Sequence, residues 1–165
     1  MEESALIFLS VGTQKFQMNR LLKQIDKSIE EKQITEQIFA QTGYSDYIPQ
    51  YYNYVRFMNM DVFEKKINSC NIFITHAGTG NIITAVQYHR PIIIVPRLQA
   101  YREHVDNHQE EIAEKIAGQG NIWVCYDCSR LPRVIRKIGD GVETNDGLIE
   151  TKAENLILDY IRSHR

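Results

Sequence analysis

Ile72-Phe73-Ile74-Thr75-His76-Ala77-Gly78-Thr79-Gly80-Asn81-Ile82-Ile83 decides how this chain is read. A short apolar run enters a glycine-punctuated turn, and helical spacing opens immediately afterwards. An apolar run bounded by turn residues reads as a buried strand. The glycines let the backbone turn tightly and come close to a ligand. The first turn of the helix presents N–H groups without intrahelical partners, at the positive end of the helix dipole. Together these features make a place for an anion, most often a phosphate. A phosphorylated ligand is expected, with nucleotides foremost.

The same alternation extends in both directions. Ala5–Val11 reads as a strand ended by Gly12 and Thr13. Phe16 to Lys32 reads as a helix with Leu21, Leu22, Ile25 and Ile29 on one face. Thr35–Gln41 is the next strand, residues 44–54 a tyrosine-rich loop, and 54–58 a short strand. Asp61 is placed to cap a helix carrying Val62, Phe63 and Ile67, with Glu64 completing a capping box. After the opening stretch come a helix to Tyr88 and the strand Pro91–Val95. A helix over Glu103–Ala117 closes at Gly118 and Gly120, and a strand covers Ile122–Tyr126. Helices over 130–138 and 152–163 flank the polar loop 139–147. Strands alternating with helices predict an α/β fold, a Rossmann-like parallel sheet with helices on both faces. No repeat or second domain interrupts residues 1–165, so one domain is expected.

Composition narrows the partners. With 43% hydrophobic and 24% charged residues the chain is globular. A net charge of −2 gives no general attraction to nucleic acid or anionic lipid. No apolar run approaches the roughly 18–20 residues that cross a bilayer. The acidic start, Met1-Glu2-Glu3-Ser4, lacks the basic region of a secretion signal. A cytoplasmic location follows as an expectation, with membrane contact only through a partner. Three cysteines argue against a disulfide framework. Cys125 and Cys128 form a CxxC pair, but zinc needs about four ligands and nothing nearby supplies the rest. A strand end entering a turn is the preferred reading.

Ligands of parallel sheets sit beyond the carboxyl ends of the strands. That rule gathers Gly12-Thr13-Gln14, His76–Asn81 and the segment after Pro96 at one edge. Gly12–Gln14 either supplies backbone donors to a phosphate or simply turns the chain. It is neither a P-loop nor a dinucleotide fingerprint, since GxxxxGK[ST] and GxGxxG are absent. His76 either donates to a phosphate or sugar hydroxyl, or bonds backbone to shape the turn. Arg97 either reaches a phosphate or is a solvated loop cation. His104-Val105-Asp106-Asn107-His108-Gln109 is dense in directional hydrogen-bonding groups, as sugar recognition requires. On a helix, His104 and His108 would share a face. A metal pair and a capped helix start are the competing readings, ranked behind sugar contact.

In combination these residues resemble a known superfamily. His76-Ala77-Gly78-x-Gly80, then Pro91-Ile92-Ile93-Ile94-Val95-Pro96, then Asp106-Asn107-His108-Gln109 look like the donor-binding, C-terminal half of GT-B glycosyltransferases of family 28 type. Val11–Phe16 and Val95–Arg97 with Glu103–Gln109 look most like the short donor-binding subunits of bacterial two-component capsule and exopolysaccharide transferases. The resemblance runs from Ala5 to Asp127. It implies that Gly12, Thr13 and Gln14 form the first phosphate-side loop. His76, Gly78, Thr79, Gly80 and Asn81 would hold the diphosphate, with help from Arg97. Asp106, Asn107, His108 and Gln109 would reach the sugar, with His108 and Gln109 carrying transfer. Where many relatives have a ribose-gripping Glu, this chain has Thr84.

The implied activity is inverting transfer of a hexose (galactose, glucose or GlcNAc) from a UDP-sugar to a lipid-linked saccharide acceptor. No metal or other cofactor is expected, because helix and loop donors can neutralise the leaving diphosphate. A membrane-associated partner subunit would bring the acceptor and its base, placing the pair at the inner membrane face. A non-catalytic nucleotide-sugar-binding accessory protein is the alternative, and a sugar-nucleotide epimerase ranks below both.

Overall fold

The computed structural model describes residues 5–142 together with Asp159. Among the described residues six strands form one sheet: β1 (Leu6–Ser10), β2 (Gln37–Gln41), β3 (Asn53–Val55), β4 (Ile72–Thr75), β5 (Ile92–Ile94) and β6 (Ile122–Val124). Their order is β3-β2-β1-β4-β5-β6. Every pairing is parallel, as the apolar strands separated by helices require. The chain builds one half of the sheet outward from β1, then crosses back to β4 on the other side of β1. That reversal leaves a crevice at the carboxyl ends of the two strands. Ser10 pairs with Thr75 in the β1–β4 register. Gly12 and His76 therefore leave the sheet side by side.

The helices are α1 (Asn19–Glu30), α2 (Met60–Ser69), α3 (Thr79–Gln87), α4 (His108–Ile116) and α5 (Leu131–Gly139), with 3-10 turns at Gln99–Tyr101 and Cys128–Arg130. Strand alternation sorts the core into two layers. Ile7, Leu9, Ile74 and Ile93 face Leu21, Leu22 and Ile25 of α1 and Leu131 and Ile135 of α5. Phe8, Phe73, Ile92 and Ile94 face Phe63, Ile67, Ile82, Ala85, Ile112 and Ile116 of α2, α3 and α4. Phe8 lies 5.4 Å from both Phe63 and Phe73. A fully buried side chain of this kind contributes about 1.5–3 kcal/mol. Burial on both faces explains why the strands read as nearly continuous apolar runs.

Several expected boundaries shift. Helix α1 begins at Asn19 rather than Phe16, because residues 13–18 wrap the site as a loop. The cap of α2 is Asn59, whose Oδ1 accepts from the Val62 N–H at 2.9 Å, and Asp61 lies inside the first turn. The helix expected from Glu103 starts only at His108. Upstream, Arg102 closes the 3-10 turn with φ 58°, and Asp106 Oδ1 accepts from the His108 N–H. His104 therefore shares no helix face with His108. The expected helix 152–163, apart from Asp159, and most of the loop 139–147 lie outside the described residues.

Cys70, Cys125 and Cys128 are free and buried. Burial pushes the Cys125 and Cys128 thiols up to about 12 and about 11, so both are protonated at neutral pH. Among the described residues no helix is long and apolar enough to cross a membrane.

Candidate functional site

A cleft of about 330 Å³ opens where the strand order reverses. Gly12, Thr13 and Gln14 form one wall, and His76, Gly78, Thr79, Gly80 and Asn81 form the other. Two segments 62 or more residues apart in sequence are thus brought together as the strand-end rule expects. Gly12 has φ +80°, a conformation that L side chains rarely adopt. The amides of Thr79, Gly80 and Asn81 precede the first bond across the helix start, Ile82 N–H to the Gly78 carbonyl at 3.1 Å. No acidic side chain occupies this first turn to compete for them. Asn81 Nδ2 turns back to Thr75 Oγ1 at 3.3 Å and ties the helix start to the end of β4.

His76 forms the floor. It is 4% exposed, and its ring is enclosed by two glycines. A Cβ at Gly12 would stand 2.4 Å from Nε2, and one at Gly78 would stand 2.3 Å from Cε1. Neither contact is possible for real atoms, so both glycines exist to admit this ring. Burial, then the Arg97 charge, pushes the imidazole pKa down to about 3. His76 is therefore neutral at physiological pH. Its Nδ1 lies 3.0 Å from Gln109 Nε2.

Four further lining residues come from a quarter that the sequence reading left unassigned: Gln41, Met58, Met60 and Phe63. Gln41 ends β2, a strand end that the sequence reading did not gather at the site. It is 3% exposed, and among the described residues its Oε1 has no hydrogen-bond partner. A buried acceptor left unpaired costs about 1–3 kcal/mol. A ligand donor in the cleft would relieve that cost. Met60 is exposed; so is Phe57, which packs edge-on against Tyr44 at 5.1 Å.

Other expected site residues stand outside the cleft lining. Arg97 is a correction. Its side chain is fully buried, and its guanidinium donates to the carbonyls of Val11, Phe16, Gln17 and Glu103. Burial lowers its pKa to about 10, which leaves it cationic at neutral pH. Arg97 is a strut beneath the Gly12 loop and does not reach a phosphate. Glu103, also fully buried, accepts from Arg20 at 2.9 Å and from the Leu98 N–H at 3.1 Å. Arg20 in turn bonds the carbonyls of Pro96 and Tyr126. Nothing in a linear reading marked this buried ion-pair network, because charged residues in loops normally read as solvated.

Gln109 is the second correction. Its Oε1 accepts from the Ala77 N–H at 3.1 Å and the Arg97 N–H at 3.0 Å, and its amide nitrogen faces His76. The side chain is committed to the protein and stands behind His76, so it does not face a sugar. It also joins the HAG loop to the segment after β5. Asp106, Asn107 and His108 ring the start of α4. Asn107 Oδ1 accepts from the Gln99 N–H, and Asp106 bridges His104 Nδ1 at 2.9 Å and His108 Nε2 at 3.4 Å. Asn107 and His108 are exposed and do not line the cleft. Thr84 lies one turn beyond the cleft, its hydroxyl donating to the Gly80 carbonyl at 2.9 Å.

Residues 6–157 match the model of the glycosyltransferase family 28 C-terminal domain. The chain belongs to this family. A UDP-N-acetylglucosamine transferase subunit ALG13 from Debaryomyces hansenii is 27% identical over 164 residues, 90% of this chain and 76% of that protein. The same-named subunit from Saccharomyces cerevisiae is 34% identical over 55 residues, 33% of this chain. That match spans only 25% of the yeast protein. Among solved structures, the glycosyltransferase SnogD from Streptomyces nogalater superimposes with a TM-score of 0.61 at 14% identity. The superposition covers 93% of this chain and 39% of SnogD. At that identity the likeness concerns the fold alone. The family 28 chain has the architecture of one half of a GT-B glycosyltransferase, the carboxyl-terminal half.

Proposed function

We propose that this chain is the donor-binding subunit of an inverting glycosyltransferase, moving a hexose from a UDP-sugar to a lipid-linked saccharide. One observation carries the reading. The Gly12 turn and the start of α3 converge on a single cleft floored by a neutral His76, with an unpartnered Gln41 oxygen in its wall. Backbone donors and a helix N-terminus suit the diphosphate. As the sugar–phosphate bond breaks, negative charge grows on the leaving oxygen, and preorganised donors at that point stabilise it. That donor set needs no metal to neutralise the charge. The acceptor hydroxyl attacks from the opposite side of the anomeric carbon, which inverts its configuration. We assign the base that takes its proton to a partner subunit, a reading supported by the Debaryomyces hansenii relative, whose printed name makes it a transferase subunit. Exposed Met60 in the cleft lining gives that partner an apolar side chain to cover.

Asn107 and His108 remain the residues proposed to meet the sugar. They start α4, one residue from the Gln109 that holds His76. The acceptor class follows the capsule and exopolysaccharide resemblance of Val11–Phe16 and Glu103–Gln109. The printed name of the yeast relatives favours UDP-GlcNAc as the donor. Thermal-shift measurements with UDP, GDP, dTDP and UDP-linked galactose, glucose and GlcNAc test the donor class. A ligand at one hundred times its Kd stabilises by about 2.7 kcal/mol. Stabilisation by uridine nucleotides alone is expected; a response to none of them, with the partner present, overturns the proposal. Transfer assays on the co-expressed pair separate a catalytic subunit from an accessory one.

A further inference from the structure

From the hydrogen bonds around Gln109 we infer that this residue is a positioning residue that locks the His76 imidazole as the tautomer with its proton on Nε2, making His76 a fixed hydrogen-bond donor to the cleft. This goes beyond the donor-site reading. Only the identity of the ligand atom that receives the proton rests on that reading.

The deduction follows from counting donors and acceptors. A primary amide has one oxygen that accepts and one nitrogen that donates. The two are told apart only by their partners. At Gln109 the partners decide. Oε1 faces two backbone N–H groups, of Ala77 at 3.1 Å and Arg97 at 3.0 Å. Neither can act as an acceptor, so the atom between them is the oxygen. The remaining amide atom, 3.0 Å from His76 Nδ1, is therefore the NH2 group. It donates, so Nδ1 must offer a lone pair.

A doubly protonated ring has no lone pair for Gln109 to meet. The ring is also buried, with the Arg97 cation and His104 as its ionisable neighbours, and both work against a second positive charge. An amide oxygen turned toward Nδ1 would favour the charged ring, but that oxygen is held elsewhere. A neutral imidazole with an unprotonated Nδ1 carries its hydrogen on Nε2. Nε2 sits between Gly12 and Gly78, the two glycines whose missing side chains leave it room in the cleft.

The consequence is functional. His76 cannot serve as a general base at Nε2, because that nitrogen has no free lone pair. It donates to an oxygen of the ligand. In the donor-site reading that oxygen belongs to the diphosphate. The donor direction stays constant across physiological pH, unlike that of an ordinary histidine.

Nitrogen-15 correlation spectra of the imidazole, recorded on the ligand-free chain, give the test. The wild type should show an unprotonated Nδ1 and a protonated Nε2, unchanged from about pH 5 to about pH 8. Gln109→Glu keeps an oxygen for the two backbone N–H groups but replaces the donor with an acceptor. It should move the proton to Nδ1 or charge the ring, and weaken UDP binding at least tenfold. Gln109→Met, which offers neither, should leave a mixture of tautomers. A protonated Nδ1 in the wild type overturns the inference, and so does an unchanged pattern in Gln109→Glu. If neither variant folds, the wild-type spectrum decides alone. The expected tautomer without any UDP binding would leave the lock standing and remove the donor-site reading; UDP binding with the other tautomer would do the reverse.

Discussion

Gln109 Nε2 lies 3.0 Å from His76 Nδ1, across 33 positions of sequence. The contact joins the loop after β4 to the helix after β5 at the crevice where strand order reverses. Through Gln109 Oε1 it also reaches the Arg97 backbone, and the Arg97 side chain continues to the Gly12 loop. The cleft walls are therefore coupled by buried hydrogen bonds beneath them.

The lowered pKa of His76 makes stability depend on acidity. The folded value of about 3 lies below the ordinary 6.5, so between them the unfolded chain binds a proton that the folded chain refuses. Stability from this group is fully present above about 6.5 and falls as pH drops toward 3, by up to ~1.4 kcal/mol per pH unit. Denaturant titrations of the wild type and His76→Gln between those limits should differ in slope by about one proton. Equal slopes would show that the ring is not held neutral.

The glycines around the ring differ in what they tolerate. Gly12→Ala places a Cβ 2.4 Å from Nε2 at φ +80°, and Gly78→Ala places one 2.3 Å from Cε1. Both should displace His76 and lower UDP affinity at least tenfold. A Cβ at Gly80, which lies in α3, would meet nothing within 4 Å among the described residues. Gly80→Ala should raise stability by about 0.5–1 kcal/mol, measured by urea unfolding.

Arg97→Met leaves four carbonyls without their donor and removes a buried cation near Glu103. A loss of about 3–5 kcal/mol is expected in unfolding experiments. Arg97→Lys should recover little of it, because one ammonium cannot span the same fork of carbonyls.

Gln41→Leu removes an acceptor that has no partner. Stability should stay level or rise by about 1 kcal/mol. Calorimetric affinity for the UDP-sugar should fall about tenfold if the ligand donates to this oxygen. Unchanged affinity would assign Gln41 to the wall only.

The architecture was legible because parallel strands buried on both faces leave an unmistakable trace, as Ile92–Val95 does. The glycines were read as places where the backbone meets a ligand; at Gly12 and Gly78 the group they admit is the His76 ring. Arg97, just past a strand end, and Gln109, in a cluster of hydrogen-bonding side chains, were misplaced for one reason: such polar residues suggest ligands, and only three dimensions reveal when backbone groups already occupy them. Gln41 shows the converse. It closes β2 and lines the cleft, yet it was passed over, because one glutamine at the close of an apolar strand carries no motif. Helix α4 started late because Asp106 and Asn107 bind neighbouring backbone N–H groups and hold residues 103–107 out of the helix.

The central claim is that the Gly12 turn and the first turn of α3 grip a diphosphate. Backbone amide spectra of the chain titrated with UDP test this most directly. Large shifts should appear at Gly12, Thr13, Gln14, Thr79, Gly80 and Asn81, and uridine without phosphates should produce far smaller ones. Saturable UDP binding that leaves those six amides unmoved would contradict the account.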